Sequence, residues 1–255
     1  MFVFPDERTV VIIVIAGFFG GFVRGYSGFG FALAAMPILT IMLSPVTAVP
    51  AVFPLECAIG LLTLPVERNH VDLSVLKWLA LGAIVGTPLG MTVLAHVPVE
   101  IMRLVLGLAV AVATFRAWRG EDDAVAKSRS NLAFIGFLSG CLNGATAMSG
   151  PPVIVSLLES NMPVLEARAT LIAFIAMSAC FGTILSASHG AYSSEIWFVS
   201  LVMAPAAAAG CTLGVFIFSH VPRRVYRSVS LSLLAAAMSI AIVTASLAVL
   251  KKAAT

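Results

Sequence analysis

Gly25-Tyr26-Ser27-Gly28-Phe29-Gly30 interrupts an apolar run that otherwise extends from about residue 9 to 43. After the midpoint, a run from about 131 to 158 is interrupted in the same manner by Gly144-Ala145-Thr146-Ala147-Met148-Ser149-Gly150-Pro151-Pro152. A helix over residues 9–43 would be about 52 Å long at about 1.5 Å per residue, nearly twice the hydrocarbon thickness of a bilayer. One straight span cannot hold it. Either the segment folds back as a re-entrant hairpin of two half-helices, or it is a strongly tilted broken helix with a projecting end. Backbone leaves helical geometry at membrane depth only where protein or a wet cavity satisfies its N–H and C=O groups. Paired breaks in the two halves of a chain point to the substrate site of a transporter.

Composition places the chain in a membrane. It is 60% hydrophobic and 11% charged, with mean hydropathy +1.06, against about a quarter charged in soluble proteins. Further apolar stretches lie at roughly 45 to 64, 75 to 95, 99 to 118, 163 to 187, 195 to 219 and 225 to 250, which makes eight in all. Most are near the 20 residues a spanning helix needs, and the short alternating strands of a membrane barrel are absent. The fold class expected is all-α and polytopic. The first run is too long for a signal peptide and is expected to be retained. A net charge of +3 spread over short connectors does not suggest nucleic acid, and the longest connector, residues 119–131, is too short for a soluble domain. Trp78, Trp118 and Trp197 sit near segment ends, as aromatic-belt residues do. Cys57, Cys141, Cys180 and Cys211 lie inside apolar segments without metal-ligand spacing, so no metal or other cofactor is expected. Cys141 alone stands close to the second interruption.

The chain also repeats itself. Gly17-Phe18, Gly21, Gly25 and Ser27 meet Gly136-Phe137, Gly140, Gly144 and Thr146 at an offset of 119. Farther on, Gly86, Gly90 and His96-Val97-Pro98 meet Gly210, Gly214 and His220-Val221-Pro222 at an offset of 124. Two related four-segment halves are expected, residues 1–120 and 131–255, joined by a polar linker at 121–130. If the first and fifth segments are hairpins, the halves are inverted and Lys and Arg divide slightly more unequally between the two faces than if all eight cross. Each His-Val-Pro reads as a helix C-cap, with pH sensing as the alternative. Small residues such as Ala206 to Gly210 suit close helix packing.

The string from Gly17 through Arg24-Gly25-Tyr26-Ser27-Gly28-Phe29-Gly30 to Pro37-Ile38-Leu39 resembles the first signature of the sulfite exporter TauE/SafE family, the TSUP permeases. Gly136 through Asn143-Gly144 to Ser149-Gly150-Pro151-Pro152 resembles its second. The resemblance covers essentially the whole chain. It implies transport of small sulfur-containing or organic anions such as sulfite, sulfonates or sulfoacetate. Ala147 and Ser149 stand where that family commonly has glycine, so the second break is expected to suit a different anion.

The residues carry their own chemistry. A broken helix presents the free N–H groups and partial positive charge of its second half to the break, which is an anion site in itself. The N–H groups of about Phe29 to Ala32, and of Ser149 and Gly150, would face one another. Gly28 and Gly30 let an oxyanion approach the backbone, Pro151 suits a first helical turn, and Tyr26, Ser27, Asn143, Thr146 and Ser149 add neutral groups. Arg24 either binds or gates the anion, or snorkels to an interface or helix end; Asn143 is its counterpart in the second half. Glu56, midway along its segment, carries a proton, pairs statically, or reaches an interface. Arg168 either reaches the second break or snorkels, and is not paired with nearby Glu166, which faces another side of the helix.

A secondary transporter is therefore expected, in the inner membrane, with a small anion, the bilayer, a coupled proton and a second copy of the chain as partners. No nucleophile-base pair or metal set appears that would suit an enzyme. An anion channel with paired re-entrant loops is the alternative.

Overall fold

A computed structural model of the chain describes residues 6–96, 129–160 and 162–220, together with Ser232. The apolar stretches at 99–118 and 225–250, Trp118, most of the linker, and the Val-Pro pairs after both histidines lie outside the described residues. Those that are described form eight α-helices and no strand: α1 Glu7–Ser27, α2 Phe31–Leu39, α3 Pro45–Glu67, α4 Leu73–His96, α5 Arg129–Thr146, α6 Gly150–Glu159, α7 Val164–Ser188 and α8 Ser194–His220. Five of them (α1, α3, α4, α7 and α8) are long and apolar enough to cross a membrane. Large apolar side chains such as Leu62, Val66, Ile184, Leu201 and Phe216 face outward, as lipid-facing positions do.

Local chemistry sets the helix ends. The Asp6 carboxylate accepts from the Thr9 N–H at 3.1 Å and the Ser44 hydroxyl from the Thr47 N–H at 3.3 Å, relieving orphan donors at two N-termini. Pro45 occupies the first position of α3, where its missing N–H costs nothing. Pro50, Pro54 and Pro65 lie inside the same helix; α8 supports it there, with Ser200 Oγ donating to the Ala51 carbonyl at 2.8 Å. His96 and His220 each place Nδ1 at 2.8 Å from the carbonyl four residues earlier, the same last-turn closure in both halves.

The expected interruptions are narrower than the glycine-rich strings. Helix continues through Gly25-Tyr26-Ser27 and through Gly144-Ala145-Thr146, and only residues 28–30 and 147–149 leave it. Gly25 and Gly144 serve close packing instead of breaking the chain. With its 21 residues α1 is about 31 Å long, a full span by itself, whereas the 9 residues of α2 reach about 13 Å.

Helix packing is crossed between the halves. Side chains at Gly17, Gly21 and Gly25 of α1 would collide with Met203, Ala207 and Cys211 of α8. At Gly136, Gly140 and Gly144 of α5 they would collide with Leu79, Ala83 and Thr87 of α4. Each position and its partner in the first set maps onto the second through the offsets read in the sequence, so the first helix of either half packs on the last described helix of the other. Lipid tails are as apolar as leucine, and helices associate in them largely through such close backbone approach. Between the two pairs α3 crosses α7, with Gly60 against Ala176 and Gly182 against the Phe53 ring. One core joins α1, α2, α3 and α8, and a second joins α4, α5, α6 and α7.

Candidate functional site

Both breaks begin with the same backbone event. Gly28 enters the left-handed region at φ 80° and closes α1 by donating to the Arg24 carbonyl at 2.9 Å. Ala147 does so at φ 60°, donating to the Asn143 carbonyl at 2.7 Å. Ser27 Oγ and Thr146 Oγ1 turn back to the carbonyls of Val23 and Leu142, each at 2.7 Å, so these hydroxyls seal their own helix ends. A left-handed non-glycine costs about 1–2 kcal/mol. In Gly28→Ala that cost adds to a clash, because the new Cβ would lie 3.0 Å from Arg168 Cγ and 3.3 Å from Ile172. A clear fall in the thermal midpoint is expected. Ala147→Gly should stay within about 1 kcal/mol of the parent, since strain relief is offset by roughly 0.8 kcal/mol for the buried methyl; thermal unfolding of both variants checks the contrast.

The two breaks interlock. A Cβ built on Gly150 would touch Phe29 at 3.4 Å, so the start of α6 rests on the loop of the first break. Phe29 belongs to the core of α4 to α7, Ala147 belongs to the core of α1, α2, α3 and α8, and Met148 packs on both. Each loop is thus inserted into the opposite core.

Their polar surroundings differ. At the first break, Arg24 and Glu56 are both buried, 2% exposed each, and the guanidinium lies within electrostatic reach of the carboxylate. Glu56 Oε1 accepts from the Ala32 N–H at 3.4 Å, in the first turn of α2. The Phe29 N–H is taken by Ser27 Oγ at 3.3 Å. The N-terminus of α2 is therefore already faced by a carboxyl group, the protein's own. At the second break the position equivalent to Arg24 is Asn143, whose Nδ2 donates to the Ser178 carbonyl at 3.1 Å. Gly60 and Gly182, equivalent at the α3–α7 crossing, equate Glu56 with Ser178, so two charged side chains at the first break correspond to two neutral ones at the second. Ala32 maps onto Pro151, which has no N–H to give. Asn143 Oδ1, Ser149 Oγ and Ser178 Oγ are buried there without a hydrogen-bond partner. Buried polar atoms of that kind are rare and costly; Glu56 Oε2 and Arg168 Nε at the first break are buried without a hydrogen-bond partner as well. The Ser149 carbonyl is occupied, accepting from Ser139 Oγ.

Arg168 goes to the first break and not the second. It is ion-paired with Glu67, donates through Nη2 to the Gly25 carbonyl at 3.2 Å, and lies 4.2 Å from the centre of the Phe218 ring. The bare Cα of Gly28 makes the room. Tyr26, 7% exposed, packs edge-on against the same Phe218 ring. Arg168 does not pair locally with Glu166. Its partner Glu67 was missed in the sequence because an acid at the end of an apolar segment reads as a boundary residue. Ser139 and Ser178 were missed because a serine in a spanning helix ordinarily bonds its own backbone.

Residues 13–242 match the family model described as sulfite exporter TauE/SafE. The protein named "Probable sulfite/organosulfonate exporter TauE" from Cupriavidus necator is 24% identical over 201 residues, covering 76% of this chain and 78% of that protein. No solved structure matches the chain.

Proposed function

Because the chain belongs to the sulfite exporter TauE/SafE family, we propose that this multi-pass inner-membrane protein is a permease for a small sulfur oxyanion, sulfite or an organosulfonate, with a carboxylate as the weaker substrate. The anion binds at the second break. The observation that carries this is the pair of buried hydroxyls at the second break, Ser149 Oγ and Ser178 Oγ, which have no hydrogen-bond partner, whereas the N-terminus of α2 at the first break is already covered by Glu56. Ser149 Oγ and the Gly150 N–H donate to the anion, since Pro151 and Pro152 have none to give, and Phe29 walls it in. Arg24, with Ser27, Gly28, Gly30 and Tyr26 around it, supplies the positive charge from the first break.

Transport follows alternating access. The two halves act as inverted repeats, and the α3–α7 crossing is where they move. Arg168, tied to Glu67 and to the Gly25 carbonyl, latches that crossing. An incoming anion competes with Glu56 for Arg24, and a proton taken up by Glu56 removes the competitor, so anion and proton travel together. Glu56→Gln in proteoliposomes is expected to abolish proton-driven sulfite or sulfonate accumulation while anion exchange between the two sides continues. Accumulation that persists and still follows the proton gradient would remove Glu56 from the coupling. A parent protein that only dissipates an anion gradient, with no proton movement, would be a channel.

A further inference from the structure

A cavity of about 460 Å³ lies away from both breaks, where α4, α5 and α7 begin and α6 ends. Its contents are not those of an ordinary solvated surface. Lys77 Nζ and Arg129 Cζ lie 5.9 and 5.8 Å from the centre of the Trp78 ring, so two cations flank one aromatic plate. Ser156 lines the same space, is 4% exposed, and its Oγ has no hydrogen-bond partner. The N-termini of α4 and α7 lie at this region, adding partial positive charge, and the C-terminus of α6 lies there as well. Of the two acids in the wall, Asp72 is committed to capping α4: its Oδ1 accepts from the Ser74 N–H at 2.8 Å, from Ser74 Oγ at 2.5 Å and from the Val75 N–H at 3.1 Å. Glu166 is exposed in the first turn of α7, where an acid complements the helix dipole.

We propose that this cavity is a second anion site that takes a tetrahedral oxyanion end group, a phosphate ester or a sulfonate. A fork of guanidinium donors, a lysine and a buried hydroxyl are the donors such a group needs, and the volume is that of a small-ligand pocket. The group has two sources. One is an anionic lipid headgroup, for which a tryptophan flanked by cations at a helix end is well suited. The other is a free sulfonate waiting outside the central site: Ser156 is six residues along α6 from Gly150, about 9 Å.

The test uses the full chain in an uncharged detergent and reads the thermal midpoint. Short-chain phosphatidylglycerol is one ligand, phosphatidylcholine of the same chain length its control, and methanesulfonate the free anion. A rise of roughly 5 °C is expected at about 100 times Kd. With the lipid it should be lost in Lys77→Gln/Arg129→Gln, reduced in Ser156→Ala and kept in Ser149→Ala, which alters only the second break; with methanesulfonate, which the central site also takes, Lys77→Gln/Arg129→Gln should remove this cavity's part of the rise. Both cations are exposed, so the double variant should match the parent midpoint without ligand. A rise that Lys77→Gln/Arg129→Gln removes with the anionic lipid alone assigns the headgroup, and one that it removes with methanesulfonate alone assigns the free anion. No rise with either, or a rise that the double variant retains in full, overturns the proposal. Because only the part of the rise that Lys77→Gln/Arg129→Gln removes belongs to this cavity, and Ser149→Ala lowers only the central site's part, a failure here is distinct from a failure of the central site.

Discussion

Arg24→Gln is expected to cost about 3–5 kcal/mol of stability, because it strands the Glu56 carboxylate in a buried position with its counter-charge removed. The single variant should accumulate poorly and melt early. Adding Glu56→Gln should restore most of that loss, since neither charge is then buried, and the equivalent places at the second break already carry neutral side chains, Asn143 and Ser178. Binding should not return. A charge-assisted hydrogen bond contributes about 1.5–3 kcal/mol, so sulfite or sulfonate affinity should fall roughly 10- to 150-fold in single and double variants alike. Calorimetric titration beside thermal unfolding separates the two effects. A double variant that is stable and binds like the parent would take Arg24 out of the anion site, and a single variant as stable as the parent would deny the Arg24–Glu56 pairing.

Gly21→Leu should abolish the fold, and so should Gly140→Leu, its equivalent. A bare Cβ at Gly21 already runs into the Ala207 carbonyl, and one at Gly140 lies 2.8 Å from Ala83 Cα. Backbone is the obstacle in both cases, so no rotamer change relieves it, and α1 would have to leave α8, or α5 leave α4. In lipid no competing apolar drive restores the contact. The expected readout is loss of the monodisperse peak on size exclusion of the membrane extract. Gly190→Ala is the control: it has left-handed backbone at φ 66° but open space around it, and should cost only about 1–2 kcal/mol. A folded Gly21→Leu protein would mean that α1 and α8 are not in backbone contact.

The same glycines show where reading a sequence succeeds and where it stops. Gly17, Gly21 and Gly25 recur as Gly136, Gly140 and Gly144, and that spacing exposes the duplication. It does not say which helix each stripe meets, because a small residue is compatible with any close neighbour. Treating Gly25 and Gly144 as parts of the breaks was the natural reading of a glycine-rich string; only the approach of α8 and α4 reveals them as packing positions. Arg168 is similar. Its isolation from Glu166 was legible from helical spacing, but its partner is 101 residues away, and contacts across such a separation leave no local pattern.

What the amino-acid sequence determined by itself was everything that depends on short-range chemistry: apolar helices, two breaks, and an arginine and a glutamate too costly to bury without purpose. Hydropathy, helical length and the conformational freedom of Gly28 act within a few residues, so they can be read there. Tertiary structure alone decided that each loop plugs into the opposite core, that α1 packs on α8 and α5 on α4, and that Glu56 covers the N-terminus of α2 while the Ser149 and Ser178 hydroxyls at the second break have no partner. Those outcomes depend on which surfaces meet in space, and two breaks of nearly the same sequence become chemically unequal only when a carboxylate from another helix reaches one of them.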